Sequence, residues 1–505
     1  MKRIGVISIG ANSIKLMLSE VEDSGYFKII DELKGTVRLA CDLMNSSTIS
    51  EEKIESALST LKSFKSLCTL SGASQIITVI TEDISAAENK EILKDRIIKE
   101  LNITPRILTY DEEIYYIYLG IINSMYSETS LMVDIGGTST HLAVIKGEEL
   151  LERATIPIGC VNLSNKFSLR DIITYDNAES ANEFVENILK EIPWLKKYEF
   201  HNIIGLGGSI RNLCKVDRRK KHYPLDLSHN YSMNDYDISD IYNLMKCKNL
   251  KQRAKIDGLS SDRADVILGA VTILNRITKY TNIEKITLCG RGLREGILNQ
   301  YLNQNYPSSK EDILEFSIHG IMETLNMNVS HANNVYRLTK KLFTELKSLH
   351  KLGDNYQNII KTSALLHDCG ISIRYYDHHL HSMYIILNSH INGLSHKEIL
   401  ISGFAAAFHR NNNFHIPLVK FSGILNKLDV AATEKIGILL RIAEGLDRSL
   451  DGSVYDLNIS IKEDTVEILL YSNNDLDLEI HQALRSKDKF SEIYQKELII
   501  KKAEI

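Results

Sequence analysis

The sequence predicts an α/β protein whose first part is duplicated, followed by an all-helical region and a small α+β tail. Three observations support this prediction. A strand–glycine turn–strand pattern occurs twice, a helical stretch with eleven of the sixteen histidines follows at about residue 306, and alternating strands return near Val454. The predicted domains are residues 1–123, 124–305, 306–455 and 456–505.

Composition and charge are those of an ordinary globular protein, with 44% hydrophobic and 25% charged residues. No apolar run is long enough to span a bilayer, and the opening MKRIGVISIGANS predicts a strand and turn rather than a signal peptide. The seven scattered cysteines favour a reduced, cytoplasmic protein over a disulfide framework. The net charge of −5 argues against binding to duplex nucleic acid.

The internal repeat is the first indication of a phosphate site. The segment Ile9–Ser13 is echoed by Ile135–Ser139, each between two apolar strands, and the register places Ser8 opposite Asp134. A turn of this kind exposes successive backbone N–H groups that form a concavity for phosphate oxygens. Two copies that face each other would hold a phosphate from both sides of a cleft. The alternative is a chance similarity between two short glycine turns.

Two further glycine turns lie downstream, in NIIGLGGSIRNL and in KITLCGRGLREGIL. Each ends a predicted strand and opens a predicted helix, whose free N–H groups attract anions. One such turn is weak evidence, but four within about 300 residues favour a phosphate-binding cleft.

Several motifs occur together in the order and spacing of one family. They are an Asp-Glu-Glu stretch before IYYIYLG, then LMVDIGGTST, GLGGS, DRADVILGAVTIL and GRGLREGIL. On these motifs the chain resembles the Ppx/GppA phosphatases, in the long form with a C-terminal helical domain similar to HD phosphohydrolases. The resemblance covers nearly the whole chain.

The resemblance implies two actin-like (ribonuclease H-like) ATPase-type domains and an enzyme that hydrolyses phosphoanhydride bonds. The expected substrates are inorganic polyphosphate or guanosine pentaphosphate, the expected cofactor is Mg²⁺ or Mn²⁺, and the expected assembly is a homodimer. No membrane or duplex nucleic-acid partner is expected. A sugar kinase or chaperone ATPase would share the fold, but the Asp-Glu-Glu and GRGLREGIL segments favour the phosphatases.

The resemblance also implies site residues. Glu113 would orient and deprotonate the attacking water, and Asp134 would hold Mg²⁺ beside the phosphates. The alternatives are an acidic cluster favoured by the helix dipole for Glu113 and a structural turn residue for Asp134. The expected phosphate-binding residues share N–H, hydroxyl or guanidinium donors: Asn12, Ser13, Gly136, Gly137, Thr138, Ser139, Gly207, Gly208, Ser209 and Arg263. For Arg263 a surface salt bridge is the alternative.

The family pattern has a third glycine in the second turn where this chain has Thr138, and three further positions depart from the pattern. Ser8 stands where the first turn has aspartate, Ser85 where the family has arginine, and His141 where it has glutamate. These departures motivate a second hypothesis, in which the chain is a catalytically weakened sensor that binds polyphosphate or guanosine nucleotides.

The helical region contains a second candidate metal site, because histidine and aspartate recur in the order of an HD domain. The expected ligands are His331, His367, Asp368, His409 and Glu444, with Asp447 as another acid for the last position. Each imidazole can bind a divalent ion through one nitrogen. The alternative is that these side chains only hydrogen-bond one another, within a domain that serves as a dimer scaffold.

Overall fold

The structure is a computed structural model that describes residues 1–39, 42, 46–306, 312–410 and 414–503. The chain divides into two compact units, Met1–Lys310 and Glu311–Ile505. The predicted class is confirmed, since unit 1 contains two mixed sheets with helices and unit 2 contains helices and a small sheet. No helix of the described residues is long and apolar enough to cross a membrane. The finer domain boundaries remain predictions.

The first half of unit 1 contains five strands and four helices among the described residues. They are β1 (Lys2–Ile9), β2 (Ile14–Val21), β3 (Phe27–Gly35), α1 (Glu51–Leu70), β4 (Gln75–Ile80), α2 (Glu82–Ser85), α3 (Lys90–Leu101), β5 (Arg106–Ile107) and α4 (Tyr110–Ile122). Strand β1 is buried from Ile4 onward, as expected of a strand covered on both faces.

The second half of unit 1 follows with six strands and seven α-helices. They are β6 (Thr129–Ile135), β7 (Thr140–Lys146), β8 (Glu149–Ile156), α5 (Cys160–Lys166), α6 (Tyr175–Lys190), β9 (Asn202–Leu206), α7 (Gly207–Lys220), β10 (Ser232–Asn234), α8 (Asp235–Lys246), α9 (Leu250–Arg253), α10 (Ile267–Thr281), β11 (Lys285–Leu288) and α11 (Leu293–Asn305). Short 3-10 turns lie at Pro193–Lys196 and Ser261–Arg263.

The sequence repeat is a repeat of the sheets. The first sheet has the order β3-β2-β1-β4-β5, and the second, taken from its other edge, has the order β8-β7-β6-β9-β11, with β10 added. In both sheets the first three strands of the half are antiparallel and the next two join in parallel. Ser8 pairs with Lys15 as Asp134 pairs with His141, so the repeat aligns these residues two by two.

The two halves of unit 1 share a hydrophobic core. One cluster joins Ile4 and Val6 of the first sheet to Met132 and Ile204 of the second, together with residues of α4 and α11. Helices α4 and α11 pack backbone to backbone. A Cβ atom on Gly296 would lie 1.7 Å from the Tyr116 carbonyl oxygen, so this approach requires glycine. Since α4 carries Glu113, the packing fixes that residue relative to both sheets.

Unit 2 contains ten α-helices and three strands among the described residues. They are α12 (Ile313–Thr324), α13 (Val329–Glu345), α14 (Lys347–His350), α15 (Gln357–Leu365), α16 (His378–Asn388), α17 (His396–Phe408), α18 (Leu418–Phe421), α19 (Lys427–Gly445), β12 (Asp456–Ile461), β13 (Thr465–Tyr471), α20 (Asp477–Leu484), α21 (Lys487–Tyr494) and β14 (Glu497–Lys502). Strand β13 pairs with β12 in antiparallel and with β14 in parallel.

Substitution of Gly296 by alanine is expected to destabilise unit 1. The added methyl group would overlap the Tyr116 carbonyl and push α4 and α11 apart, at a cost of about 3 kcal/mol in the free energy of unfolding. Urea unfolding followed by the fluorescence of Trp194, the single tryptophan, measures this change in unit 1. Gly10→Ala is the control, since its Cβ would meet nothing closer than 3.5 Å. Equal stability of the two variants would contradict the packing argument.

Candidate active site

A cavity of about 210 Å³ lies between the two halves of unit 1. It is lined by the ends of β1 and β6, by both glycine turns of the repeat, and by the first turns of α4, α7 and α11. Helix N-termini and turns that expose N–H groups on several sides suit a phosphate.

The two turns of the repeat have the same backbone geometry. The Gly10 N–H donates to the Ser13 carbonyl at 3.2 Å, and the Gly136 N–H donates to the Ser139 carbonyl at 2.9 Å. The turns lie against each other, since a Cβ on Gly137 would be 3.6 Å from the Ala11 Cβ. The sequence repeat therefore forms a pair of turns on one cavity.

Most of the expected phosphate-binding residues line this cavity. These are Asn12, Ser13, Gly136, Gly137, Ser139, Gly207, Gly208 and Arg263. Thr138 and Ser209 are not among the lining residues. The Ser209 hydroxyl accepts a hydrogen bond from Arg263 Nη1 at 3.2 Å, so it positions the guanidinium against Gly208.

Glu113 points into the cavity from the first turn of α4, and its side chain is buried. Its neighbour Glu112 takes the capping role, because it forms a capping box with Thr109. Glu113 Oε1 instead accepts the Glu82 N–H at 2.7 Å. Burial raises the pKa of Glu113 above its usual range, although His141 opposes this shift. Such a carboxylate is suited to proton transfer.

His141 lies beside Glu113 in the lining of the cavity. Its Nε2 is 3.7 Å from Glu113 Oε2, and its Nδ1 is 2.9 Å from the Thr155 hydroxyl. Burial alone would lower the pKa of His141, but the negative charges of Glu113 and Asp134 raise it overall. This shift favours the protonated ring of His141 next to the expected base.

Asp134 is the second-last residue of β6, and its side chain lies against Gly207. Burial raises the pKa of Asp134, while the charges of His141 and Lys15 oppose the shift. Gly207 has φ +82°, and a Cβ there would lie 2.3 Å from Asp134 Oδ1. Only glycine fits this position, because it tolerates the left-handed backbone and leaves room for the carboxylate.

The carboxylates of Asp83, Glu113 and Asp134 line the same cavity. Magnesium in phosphate-handling sites is commonly bound by one or two carboxylates, with substrate oxygens and water completing the shell. A buried carboxylate with a raised pKa gains from a cation beside it. The residues present thus fit a divalent ion shared with a phosphate substrate.

Sequence reasoning missed much of the basic wall of the cavity, which consists of Lys15, Arg211, Arg291 and Arg294 beside the expected Arg263. Burial, and then the charges of Arg294, Arg263 and Arg211, lower the pKa of Lys15 to about 8. An anion would relieve this mutual repulsion. Lys15 could have been found from the repeat, because it stands in the place of His141.

Ser8 and Ser85, two other positions that depart from the family pattern, differ in whether they line the cavity. Ser8 lines the cavity at the end of β1, where it offers a hydroxyl instead of a carboxylate. Ser85 is the last residue of α2, and its carbonyl accepts a hydrogen bond from Lys90 at 2.8 Å. Ser85 is not among the residues that line the cavity.

In unit 2 the structure brings His331, His367, Asp368 and His409 together, and it adds His378 and Asp447 to them. Glu444 lies apart from these groups. Its carboxylate binds Arg448 at 2.9 Å and is 3.7 Å from Arg410. Asp447, the other acid considered, is the one that reaches His331, at 2.7 Å.

Two halves with the same sheet order, on one cavity lined by glycine turns and basic side chains, define a class of duplicated α/β protein whose cavity suits a phosphate. Comparison with known proteins agrees with this class. The model of the Ppx/GppA phosphatase family matches residues 18–305, and that of domain III of Ppx/GppA phosphatases matches residues 313–489. The chain belongs to the Ppx/GppA phosphatase family.

Individual relatives extend this result. A guanosine-5'-triphosphate,3'-diphosphate pyrophosphatase of Photobacterium profundum is 24% identical over 402 residues, which are 77% of this chain and 76% of that protein. The crystal structure of the Aquifex aeolicus Ppx/GppA family member is 28% identical with a TM-score of 0.53, and covers 61% of this chain and 99% of its own. An exopolyphosphatase structure from Cytophaga hutchinsonii shares the fold with a TM-score of 0.57 at 24% identity, over 60% of this chain and 98% of its own.

Proposed function

We propose that the cleft of unit 1 releases the terminal phosphate of guanosine pentaphosphate or inorganic polyphosphate, with Glu113 as the group that activates water. As a Ppx/GppA phosphatase, the protein is a hydrolase of phosphoanhydride bonds. The observation that supports the cleft as the site is that Glu113, Asp134 and both glycine turns line one cavity.

Different groups of the cleft bind the phosphate chain and accept the proton of the attacking water. The N–H groups of the two turns and the cations Lys15, Arg211 and Arg263 would hold the phosphate chain. Glu113 is fixed through Oε1 by the Glu82 N–H, which leaves Oε2 on the side of His141. From there it can accept the proton of a water whose oxygen attacks the terminal phosphorus while the bridging P–O bond breaks.

A bound Mg²⁺ or Mn²⁺, held by Asp134 together with substrate oxygens, would neutralise part of the phosphate charge. The name of the Photobacterium relative supports guanosine pentaphosphate as a substrate, whereas polyphosphate rests on the motif resemblance.

We also infer a homodimer, because the second unit matches domain III of the family, the portion that the resemblance connects with dimerisation. The six described cysteines are free thiols, which fits a reducing cytoplasm.

A catalytically weakened sensor is the second candidate function. It is favoured by Ser8, which lines the cavity where the resemblance implies a carboxylate, and by His141, whose raised pKa favours a positive charge beside Glu113. A sensor would bind the same ligands without releasing phosphate, so turnover separates the two functions.

Glu113→Gln is expected to lower kcat for phosphate release by roughly 100- to 10,000-fold, because the amide cannot accept the proton of water. Glu112→Gln is the matched control, since Glu112 is the adjacent acid and caps α4 from outside the cavity. Phosphate release from both substrates, with binding measured by calorimetry, checks the prediction. Equal rates for wild type and Glu113→Gln would rule out this role for Glu113.

His141→Asn is expected to move the acidic limb of the kcat/KM profile to higher pH. The base works when deprotonated, so activity rises as the pH passes through the raised pKa of Glu113. His141 lowers that pKa through its positive charge, and its removal therefore raises the pKa further. Rates measured from pH 4 to 9 test this shift, and an unchanged acidic limb would show that His141 does not act on the base.

A further inference from the structure

Four histidines of unit 2 face a single aspartate. Asp368 Oδ2 lies 3.7 Å from Nε2 of His331 and 3.6 Å from Nε2 of His367. Asp368 Oδ1 lies 3.1 Å from Nε2 of His378 and 3.4 Å from Nε2 of His409. The aspartate thus presents one oxygen to each of two histidine pairs.

The opposite ring nitrogen of each histidine already has an acceptor. For His331 it is the Asp447 carboxylate, at 2.7 Å from Nδ1. For the other three rings it is a backbone carbonyl: that of Ala364 for His367 at 2.8 Å, of Tyr375 for His378 at 2.7 Å, and of Ala406 for His409 at 2.5 Å. Each Nδ1 therefore carries a hydrogen, and in the neutral ring Nε2 presents a lone pair to the centre of the cluster.

Lone pairs that face one another require a positive charge between them. The Nε2 atoms of His378 and His409 are only 2.9 Å apart, although both are acceptors in the neutral rings. Within the part of the chain that the structure describes, the buried atoms His367 Nε2 and Asp368 Oδ1 have no hydrogen-bond partner. Native proteins rarely leave such atoms unpaired, and a cation bound among them would offset the cost of their burial.

We propose that unit 2 holds a dinuclear divalent-metal centre in which Asp368 bridges the two ions. The ligand sets are His331, His367 and Asp368 for one ion, and His378, His409 and Asp368 for the other. Within each set the ligating atoms lie within 4.8 Å of one another. Asp447 orients His331 from outside the shell, as carboxylates commonly do for metal-bound histidines.

The donor set indicates the kind of ion. Two imidazoles and a carboxylate suit Mn²⁺, Fe²⁺ or Zn²⁺, whereas Mg²⁺ prefers oxygen ligands alone. The thiol of Cys369 does not contribute, because it faces the Ser382 carbonyl at 3.8 Å. The centre is therefore chemically distinct from the all-oxygen site proposed for the cleft of unit 1.

The centre is open on one side. A pocket of about 300 Å³ reaches His331 and Asp368, and the Asp368 side chain remains 17% exposed. Three protein ligands for each ion leave positions free for water or other oxygen ligands, which is the pattern of catalytic rather than closed structural sites. Paired ions of this kind act together on phosphate groups in many hydrolases.

Metal analysis of the full chain tests the centre directly. The protein is loaded with Mn²⁺, desalted, and its manganese measured by mass spectrometry and electron paramagnetic resonance. Asp368→Asn is expected to lose two ions relative to wild type, so that any ion in unit 1 cancels in the comparison. The wild type is expected to show the spectrum of an exchange-coupled manganese pair, and His409→Gln is expected to lose that coupling.

Two variants outside the proposed ligand sets serve as controls for the metal content. Glu444→Gln is expected to keep both ions, because Glu444 binds Arg448 instead of the centre, and His481→Gln is expected to keep them because His481 is exposed on α20. Equal manganese in Asp368→Asn and wild type would overturn the proposal. So would a wild-type spectrum of isolated ions, a result that does not depend on whether any variant folds.

Discussion

Close packing of backbone around the second glycine turn is the constraint on which unit 1 depends. A Cβ on Gly159 would lie 2.5 Å from the Gly137 carbonyl, and one on Gly207 would lie 2.3 Å from the Asp134 carboxylate. A Cβ on Gly208 would lie 2.3 Å from the Arg263 guanidinium. The missing side chains let an acid, an arginine and exposed N–H groups share one small cavity, where a phosphate can meet all of them at once.

The duplicated sheets could be predicted because strand alternation and glycine turns are local signals, and the same strand order recurs in both halves. Helix α1 begins directly after Ser50 and carries Glu51 and Glu52 in its first turn, which are local signals of a helix start, although the Ser50 side chain makes no capping bond. The basic wall was not predictable in this way. Apart from Lys15, whose place the repeat indicates, its residues Arg211 and Arg294 come from separate elements, which only the packing of the two halves brings together.

The candidate residues show where sequence patterns stop being informative. Three consecutive acids open α4, and only the capping box separates Glu112, which caps the helix, from Glu113, which enters the cavity. In unit 2 the chain leaves α19 at Gly445, so the turn that follows decides that Asp447 reaches His331 while Glu444 does not. Such choices depend on a few backbone angles that composition and periodicity do not specify.

In the function that we propose, the cleft of unit 1 removes one terminal phosphate at a time. Phosphorus NMR of guanosine pentaphosphate and of long-chain polyphosphate, each incubated with the protein and Mg²⁺, Mn²⁺ or no metal, tests it most directly. We expect inorganic phosphate as the first product, formed only with a divalent metal, together with guanosine tetraphosphate or a shortened chain. Pyrophosphate as the first product, or binding of both ligands without any release of phosphate, would contradict it.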